Sequence, residues 1–267
     1  MSRIPFERLP ADVRRAVADK SGAVHQAATA PGGMNSGIAS VLETESGRVF
    51  VKGIPTDHPQ VGAQRREAAV APYLPESSPR LYWHLEFGGW SLLGYEVIDG
   101  RHADYTPGSP DLPLVEAALV ELQDVTAPAD IEIKDAVDRW ADYAPPGTTH
   151  YFEGNTLLHT DFAPDNVLIT GARARIIDWA WPTRGAAWID PGALILQLMD
   201  AGHSMEEALA FASRFPSWKD ARAEALSAFS LATAALWQEI AEVERTPWKL
   251  GMSKRAADLA RVRDWVL

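Results

Sequence analysis

The chain changes its patterning once, close to Asp99-Gly100, and that single change limits the folds open to it. Ahead of it, short apolar runs alternate with glycine-bearing turns. Strands are predicted at Val24 to Ala30, at Ile38 to Glu43 after the loop PGGMNSG, and at Arg48 to Ile54 around the turn Glu45-Ser46-Gly47. Strands joined in this way form an antiparallel meander. The stretch QRREAAVAPYL follows as a helix whose reach is limited by Pro72 and Pro75, since proline lacks the amide hydrogen a helix interior needs. Arg80 to Val97 then returns to strand alternation through Trp90, Leu92 and Gly94. Behind the change, alanine- and leucine-rich segments with helical spacing dominate, Leu112 to Leu122 and Lys134 to Tyr143 among them. In Arg222 to Val243, the residues Leu226, Phe229, Ala232, Leu236, Ile240 and Val243 recur at steps of three or four and define one apolar stripe. The predicted class is α+β in two lobes. Residues 1–95 form an antiparallel sheet with one main helix, 96–100 a connector, and 101–267 a mainly helical lobe.

Composition narrows the functions this architecture can serve. At 267 residues the chain is near the length at which one core divides into two. Its 46% apolar, 9% aromatic and 23% charged residues are those of an autonomously folding globular protein. A formal charge of -11 repels a phosphate backbone, so nucleic acid is not an expected partner and a cationic small substrate suits the chain better. The absence of cysteine removes disulfides, thiolate nucleophiles and thiolate metal sites together. The first residues, MSRIPFERLPADVRR, carry no apolar targeting core, and runs such as AALV and ALIL are too short to span a bilayer. The expectation is a cytoplasmic protein without a membrane partner, a monomer or weak homodimer.

The chemistry concentrates in LLHTDFAPDNVLITGARARIIDW, residues 157–179. Val167 to Ile169 and Arg175 to Ile177 are short strands rich in branched residues with Gly171 between them. A hairpin folded about residue 172 sets Asn166 opposite Asp178. Opposed residues of a hairpin have Cβ atoms about 5 Å apart, so an amide oxygen and a carboxylate would converge there, a donor set that suits Mg²⁺. Asp161, in the preceding loop, can face the same point. Phosphoryl transfer needs this combination: a cation to neutralise phosphate charge and a carboxylate to orient or deprotonate the attacking hydroxyl. Taken singly, Asn166 is also a turn residue, Asp161 a cap and Asp178 a strand-end acid. His159 is expected to pack in the loop and bond backbone carbonyls rather than carry protons. Two other readings use the same residues: a binding module that holds nucleotide without turnover, and a hydrolase with a metal on His159, Asp161 and Asp178.

HTDFAPDN followed by IIDW resembles the catalytic and metal-binding loops of the aminoglycoside phosphotransferase family, part of the protein-kinase-like superfamily. WIDPGALI, with Asp190 twelve residues past Asp178, is similar to that family's next acidic motif, whose aspartate braces the catalytic loop. VFVKG resembles the strand bearing the nucleotide-phosphate lysine, which makes Lys52 the candidate, with Glu67 in RREAAV as its helix-borne partner. PGGMNSG resembles the turn that covers the phosphates, through Asn35 and Ser36 or their amides. LLGYEVIDG resembles the hinge that reads the purine, through the backbone of Glu96 and Ile98. The resemblance implies transfer of the γ-phosphate of ATP or GTP, with Mg²⁺ on Asn166 and Asp178 and with Asp161 on the hydroxyl of a small acceptor. Aminoglycoside-like antibiotics, amino alcohols, amino acids and sugars all fall within that range. The sequence departs from the pattern at Thr160, where the family commonly has glycine, and at Trp179-Ala180, where protein kinases have Phe-Gly. The short span from Asp178 to Asp190 leaves no room for a long phosphorylatable segment, which favours a small acceptor over a protein.

Overall fold

The computed structural model describes residues 3–30, 36–262 and 265. The chain divides into two compact units, Met1–Asp99 and Gly100–Leu267.

In the first unit the strands β1 (Val24–Thr29), β2 (Ile38–Thr44), β3 (Gly47–Pro55), β4 (Leu81–Phe87) and β5 (Trp90–Tyr95) form one antiparallel sheet in the order β1-β2-β3-β5-β4. The meander appears where the patterning predicts it. A helix not anticipated from sequence, α1 (Ala11–Ser21), covers one face of the sheet. It follows Pro10, places Val13 and Val17 one turn apart on its buried side, and ends at Gly22, whose φ of 83° an L side chain rarely adopts. Both valines pack with Phe6, Leu9, Ile38, Leu42, Val51 and Leu92 into the core of this unit. Because side chains alternate along a strand, Val49 and Val51 of β3 enter that core while Phe50 and Lys52 stand on the opposite face. The second helix, α2 (Val61–Val70), covers this opposite face and gives way to a 3-10 turn at Ala71–Tyr73, where Pro72 sits. Its buried side includes Gln64, whose amide donates to the Ser91 carbonyl at 2.6 Å and to the Ser91 hydroxyl at 2.9 Å.

The second unit contains two small three-stranded sheets. One has the order β10-β9-β6, from β6 (Arg101–His102), β9 (Val167–Thr170) and β10 (Arg173–Ile176). The other has the order β7-β11-β8, from β7 (Lys134–Asp135), β8 (Thr156–Leu158) and β11 (Thr183–Gly185). Its helices are α3 (Leu112–Gln123), α4 (Ala136–Arg139), α5 (Ile189–Asp200), α6 (Met205–Ala212), α7 (Pro216–Lys219), α8 (Ala223–Val243) and α9 (Pro247–Leu259). The rings of Trp140, Phe152, Trp188 and Phe229 meet edge to face at centroid separations of 5.3 to 6.1 Å, the geometry aromatic quadrupoles prefer. No helix among the described residues is long and apolar enough to cross a membrane.

Two helical expectations are corrected. Lys134 to Tyr143 is not one helix: Lys134 and Asp135 pair in parallel with Thr183 and Arg184, and only Ala136–Arg139 is α-helical. A partner from forty-nine residues downstream outcompetes the local helical preference. The stripe on α8 is buried at Leu226, Phe229 and Ala232 but reaches solvent by Val243, which is 84% exposed, so this helix outruns the core it packs on.

Candidate active site

In the first unit, Lys52 and Glu67 form an ion pair at 2.7 Å, their side chains 12% and 4% exposed. The strand supplies the lysine and the helix the acid. Tyr95, on the neighbouring strand β5, donates its hydroxyl to Glu67 Oε1 at 2.9 Å, and its ring lies 5.9 Å from Lys52 Nζ. Sequence reading passed over Tyr95, although β5 pairs with β3 by Phe50 opposite Tyr95 and Lys52 opposite Leu93, which brings Tyr95 to the lysine's face. A buried ion pair with a third hydrogen-bonding group holds the ammonium in a defined place rather than contributing much net stability.

Ser36 lies half-buried just ahead of β2, and Asn35 falls outside the described residues. Glu96 is joined to Arg80 twice: its amide donates to the Arg80 carbonyl at 2.9 Å, and its carboxylate accepts from the Arg80 amide at 3.1 Å. Ile98 is half-buried, three residues beyond β5.

The second unit holds the carboxylates. β9 and β10 pair as Thr170 with Arg173, Ala174 with Ile169, Arg175 with Leu168 and Ile176 with Val167. The two-residue turn Gly171-Ala172 starts on a glycine with φ 56°, the requirement of a II′ hairpin turn. Continued outward, this register sets Asn166 opposite Ile177, whose amide donates to the Asn166 carbonyl at 2.9 Å. Asn166 is therefore not opposite Asp178; the expected register is off by one residue. A one-residue slip reverses the face on which a strand side chain stands. The strand does not continue, however, because Asp178 has φ 64° and leaves the extended conformation. Left-handed backbone at a non-glycine residue is uncommon and re-aims the side chain.

The loop before the hairpin is fixed from below. Asp190, in the first turn of α5, accepts from the His159 amide and from the Thr160 amide, both at 2.9 Å. His159 Nε2 contacts the Ile177 carbonyl at 3.0 Å, and its Nδ1 accepts from the Asp161 amide at 3.3 Å. Those two partners define a neutral imidazole with its proton on Nε2. Burial lowers the histidine's pKa in the same sense, against the pull of Asp161 and Asp178. Asn166 closes the loop by donating Nδ2 to the Asp161 carbonyl at 3.1 Å. Burial pushes the Asp190 carboxyl up to about 7, opposed by the two amides that hydrogen-bond it.

Thr160, between His159 and Asp161, has φ 67°; with Asp178 it is one of two non-glycine residues of positive φ among the described residues. The departure from glycine noted in the sequence thus falls at a position that glycine would fill without strain. The Thr160 hydroxyl donates to the Trp181 carbonyl at 3.4 Å. Arg139 stacks between Trp140 and Trp181, 5.3 and 5.6 Å from the two ring centroids. Sequence reading gave Arg139 no role: Trp140 is its chain neighbour, but Trp181 comes from the chain ahead of β11. With both nitrogens of His159 bonded to backbone, a metal held by His159, Asp161 and Asp178 has no free imidazole to use. Among the described residues, no three His, Asp or Glu side chains are grouped to hold a metal ion.

No protein-family profile matches the chain, and no curated protein sequence matches it. Solved structures match over nearly its whole length. Choline kinase LicA from Streptococcus pneumoniae superposes with a TM-score of 0.64 at 12% identity, over 94% of this chain and 99% of that one. LicA in complex with AMP gives 0.62 at 12% identity, over 93% and 97%. A thermostable mutant of aminoglycoside phosphotransferase APH(4)-Ia, in ternary complex with ADP and hygromycin B, gives 0.58 at 15% identity, over 94% and 100%. At such identities the likeness is one of fold: the chain has the α+β, protein-kinase-like fold of these small-molecule kinases.

Proposed function

We propose that this chain is a Mg²⁺-dependent phosphotransferase that moves the γ-phosphate of ATP or GTP to a hydroxyl of a small molecule. The observation that carries the reading is the loop around Asp161. Asp190 grips its backbone at His159 and Thr160, a neutral His159 ties it to the hairpin, and Asn166 holds the Asp161 carbonyl. A carboxylate fixed on so constrained a loop suits a group that must orient a hydroxyl at one place. The fold shared with solved small-molecule kinases supports the same reading.

Each residue then has a role. Asp161 orients the acceptor hydroxyl and takes its proton as the new oxygen–phosphorus bond forms and the bond to the departing nucleoside diphosphate breaks. Lys52, placed by Glu67 and Tyr95, binds the nucleotide phosphates, and the backbone of Glu96 and Ile98 reads the base. Asn166 and Asp178 would hold Mg²⁺: an amide oxygen and a carboxylate are hard donors, and magnesium commonly takes only one or two carboxylates together with substrate phosphates. With Nδ2 of Asn166 committed to the Asp161 carbonyl, Oδ1 is the atom of that side chain able to ligate. The cation, when bound, neutralises phosphate charge.

The acceptor class is open to a direct test. A thermal-shift screen of aminoglycosides, amino alcohols, amino acids and sugars, with Mg²⁺ and a nonhydrolysable triphosphate, raises the melting midpoint only for ligands of the folded state. A cluster of hits in one class identifies the acceptor. Mg²⁺-ATP binding with no transfer to any member, read in a parallel assay with hydrolysable ATP, would leave a nucleotide-binding module instead.

A further inference from the structure

Tyr105 is a buried titratable group that the roles above do not use. It is 2% exposed, and among the described residues its hydroxyl has no hydrogen-bond partner. Burying a phenol oxygen without a partner costs free energy, whereas a phenylalanine would fill the same space without that cost. The segment carrying it is held firmly. Arg101 and His102 pair with Ile169 and Leu168 of the hairpin, and the Ala103 amide donates to the Val167 carbonyl at 2.9 Å. Arg101 grips Asp111 through two nitrogens, at 2.5 and 2.7 Å, and the Asp104 amide donates to the same carboxylate at 2.9 Å. The Tyr105 carbonyl is bonded by His203 Nε2 at 2.9 Å. These contacts fix the backbone on which the Tyr105 ring is carried.

Arg101, His102 and Ala103 run antiparallel to Ile169, Leu168 and Val167, and β6 packs on the turn Pro164–Asn166 that ends the loop carrying Asp161, so the chain at Tyr105 continues beside that loop. Burial first, and the Asp161 carboxylate second, push the phenol well above its ordinary pKa, which keeps it protonated and able to donate. We infer that Tyr105 is a positioning residue for the proposed base: when nucleotide and acceptor are bound, its hydroxyl donates a hydrogen bond to the Asp161 carboxylate and fixes the oxygen that faces the acceptor. This rests on the phosphotransferase reading and adds a residue to it.

The test uses the full chain with Mg²⁺ and ATP and water as the acceptor, with release of inorganic phosphate as the readout. Tyr105→Phe is expected to lower kcat about tenfold, the effect of losing one hydrogen bond to a charged group. The KM for ATP should stay within about twofold and the melting midpoint should be unchanged or higher, since the orphan hydroxyl is gone. In an Asp161→Asn background the same substitution should cost nothing further, because the group through which it acts has been altered. An unchanged kcat, a loss of equal size in the Asp161→Asn background, or a lowered melting midpoint accompanying the loss would overturn the inference. A wild-type protein that releases no phosphate and transfers none to any acceptor would instead remove the phosphotransferase reading, and this role with it.

Discussion

Thr160 and Asp178 hold left-handed backbone angles on either side of the proposed base and metal site, φ 67° and 64°. For Asp the conformation is tolerable; for a β-branched Thr it is strained. Strain of this kind persists where the surroundings over-determine it, and here the Asp190 carboxylate fixes the Thr160 amide. Thr160→Gly should remove about 1–2 kcal/mol of strain and return about 0.5–1 kcal/mol to the unfolded chain's entropy. A net gain between zero and about 1.5 kcal/mol is expected in urea unfolding. Asp190 makes the loop sensitive to pH. Its folded pKa, pushed up to about 7, lies above its ordinary 3.8, so the folded state binds the extra proton between those values. The resulting stability is fully present below about pH 4 and is lost as pH rises to about 7, at most about 1.4 kcal/mol per unit. Urea unfolding of wild type and Asp190→Asn across that range should show the wild-type advantage shrinking as pH rises. A difference independent of pH would remove the assignment.

At the scale of elements, much of the site was legible because it sits in hairpins. Lys52 was singled out by the resemblance of VFVKG, and the pairing of β9 with β10 by two runs of branched residues around Gly171. The register was missed by one residue because branched residues on both strands admit a fold about 172 as readily as one about Gly171-Ala172. Only the II′ preference of a Gly-X turn separates the two. Helix α1 was overlooked for a different reason: its apolar face is only Val13 and Val17, and its burial depends on Phe6, Ile38 and Leu92, which no local pattern connects. Tyr95 was illegible because the partner that gives it meaning, Glu67, comes from another element. The Lys52–Glu67 pair joins β3 to α2 in a place nearly closed to solvent. Glu67→Ala removes the buried carboxylate from beside the lysine and should cost about 3–5 kcal/mol in equilibrium unfolding. A milder variant, Glu67→Gln, should retain the fold, keep the Tyr95 contact and raise the KM for nucleotide. An unchanged KM would separate the pair from nucleotide binding.

At the scale of the whole molecule, the proposed roles can be sorted by unit. Residues expected to act on the nucleotide phosphates lie in Met1–Asp99, and those expected to act on the acceptor and the metal lie in Gly100–Leu267. Kinetic effects should divide likewise, with Glu67→Gln read in nucleotide KM and Asp161→Ala in kcat. Acids outnumber bases enough to give a formal charge of -11, which favours approach of a cationic acceptor through its long-range field without selecting one. The fold is common to kinases of different small molecules, so the acceptor is a property of side chains that the fold leaves free to vary. The most direct test of the central claim is ³¹P NMR of a reaction holding Mg²⁺-ATP and the acceptor class selected by thermal shift, with wild type and Asp161→Ala compared. Wild type is predicted to yield a phosphomonoester resonance and ADP in equal amounts. Asp161→Ala should slow this by about a thousandfold or more while still binding Mg²⁺-ATP. Phosphomonoester formed at the wild-type rate by Asp161→Ala would contradict the account.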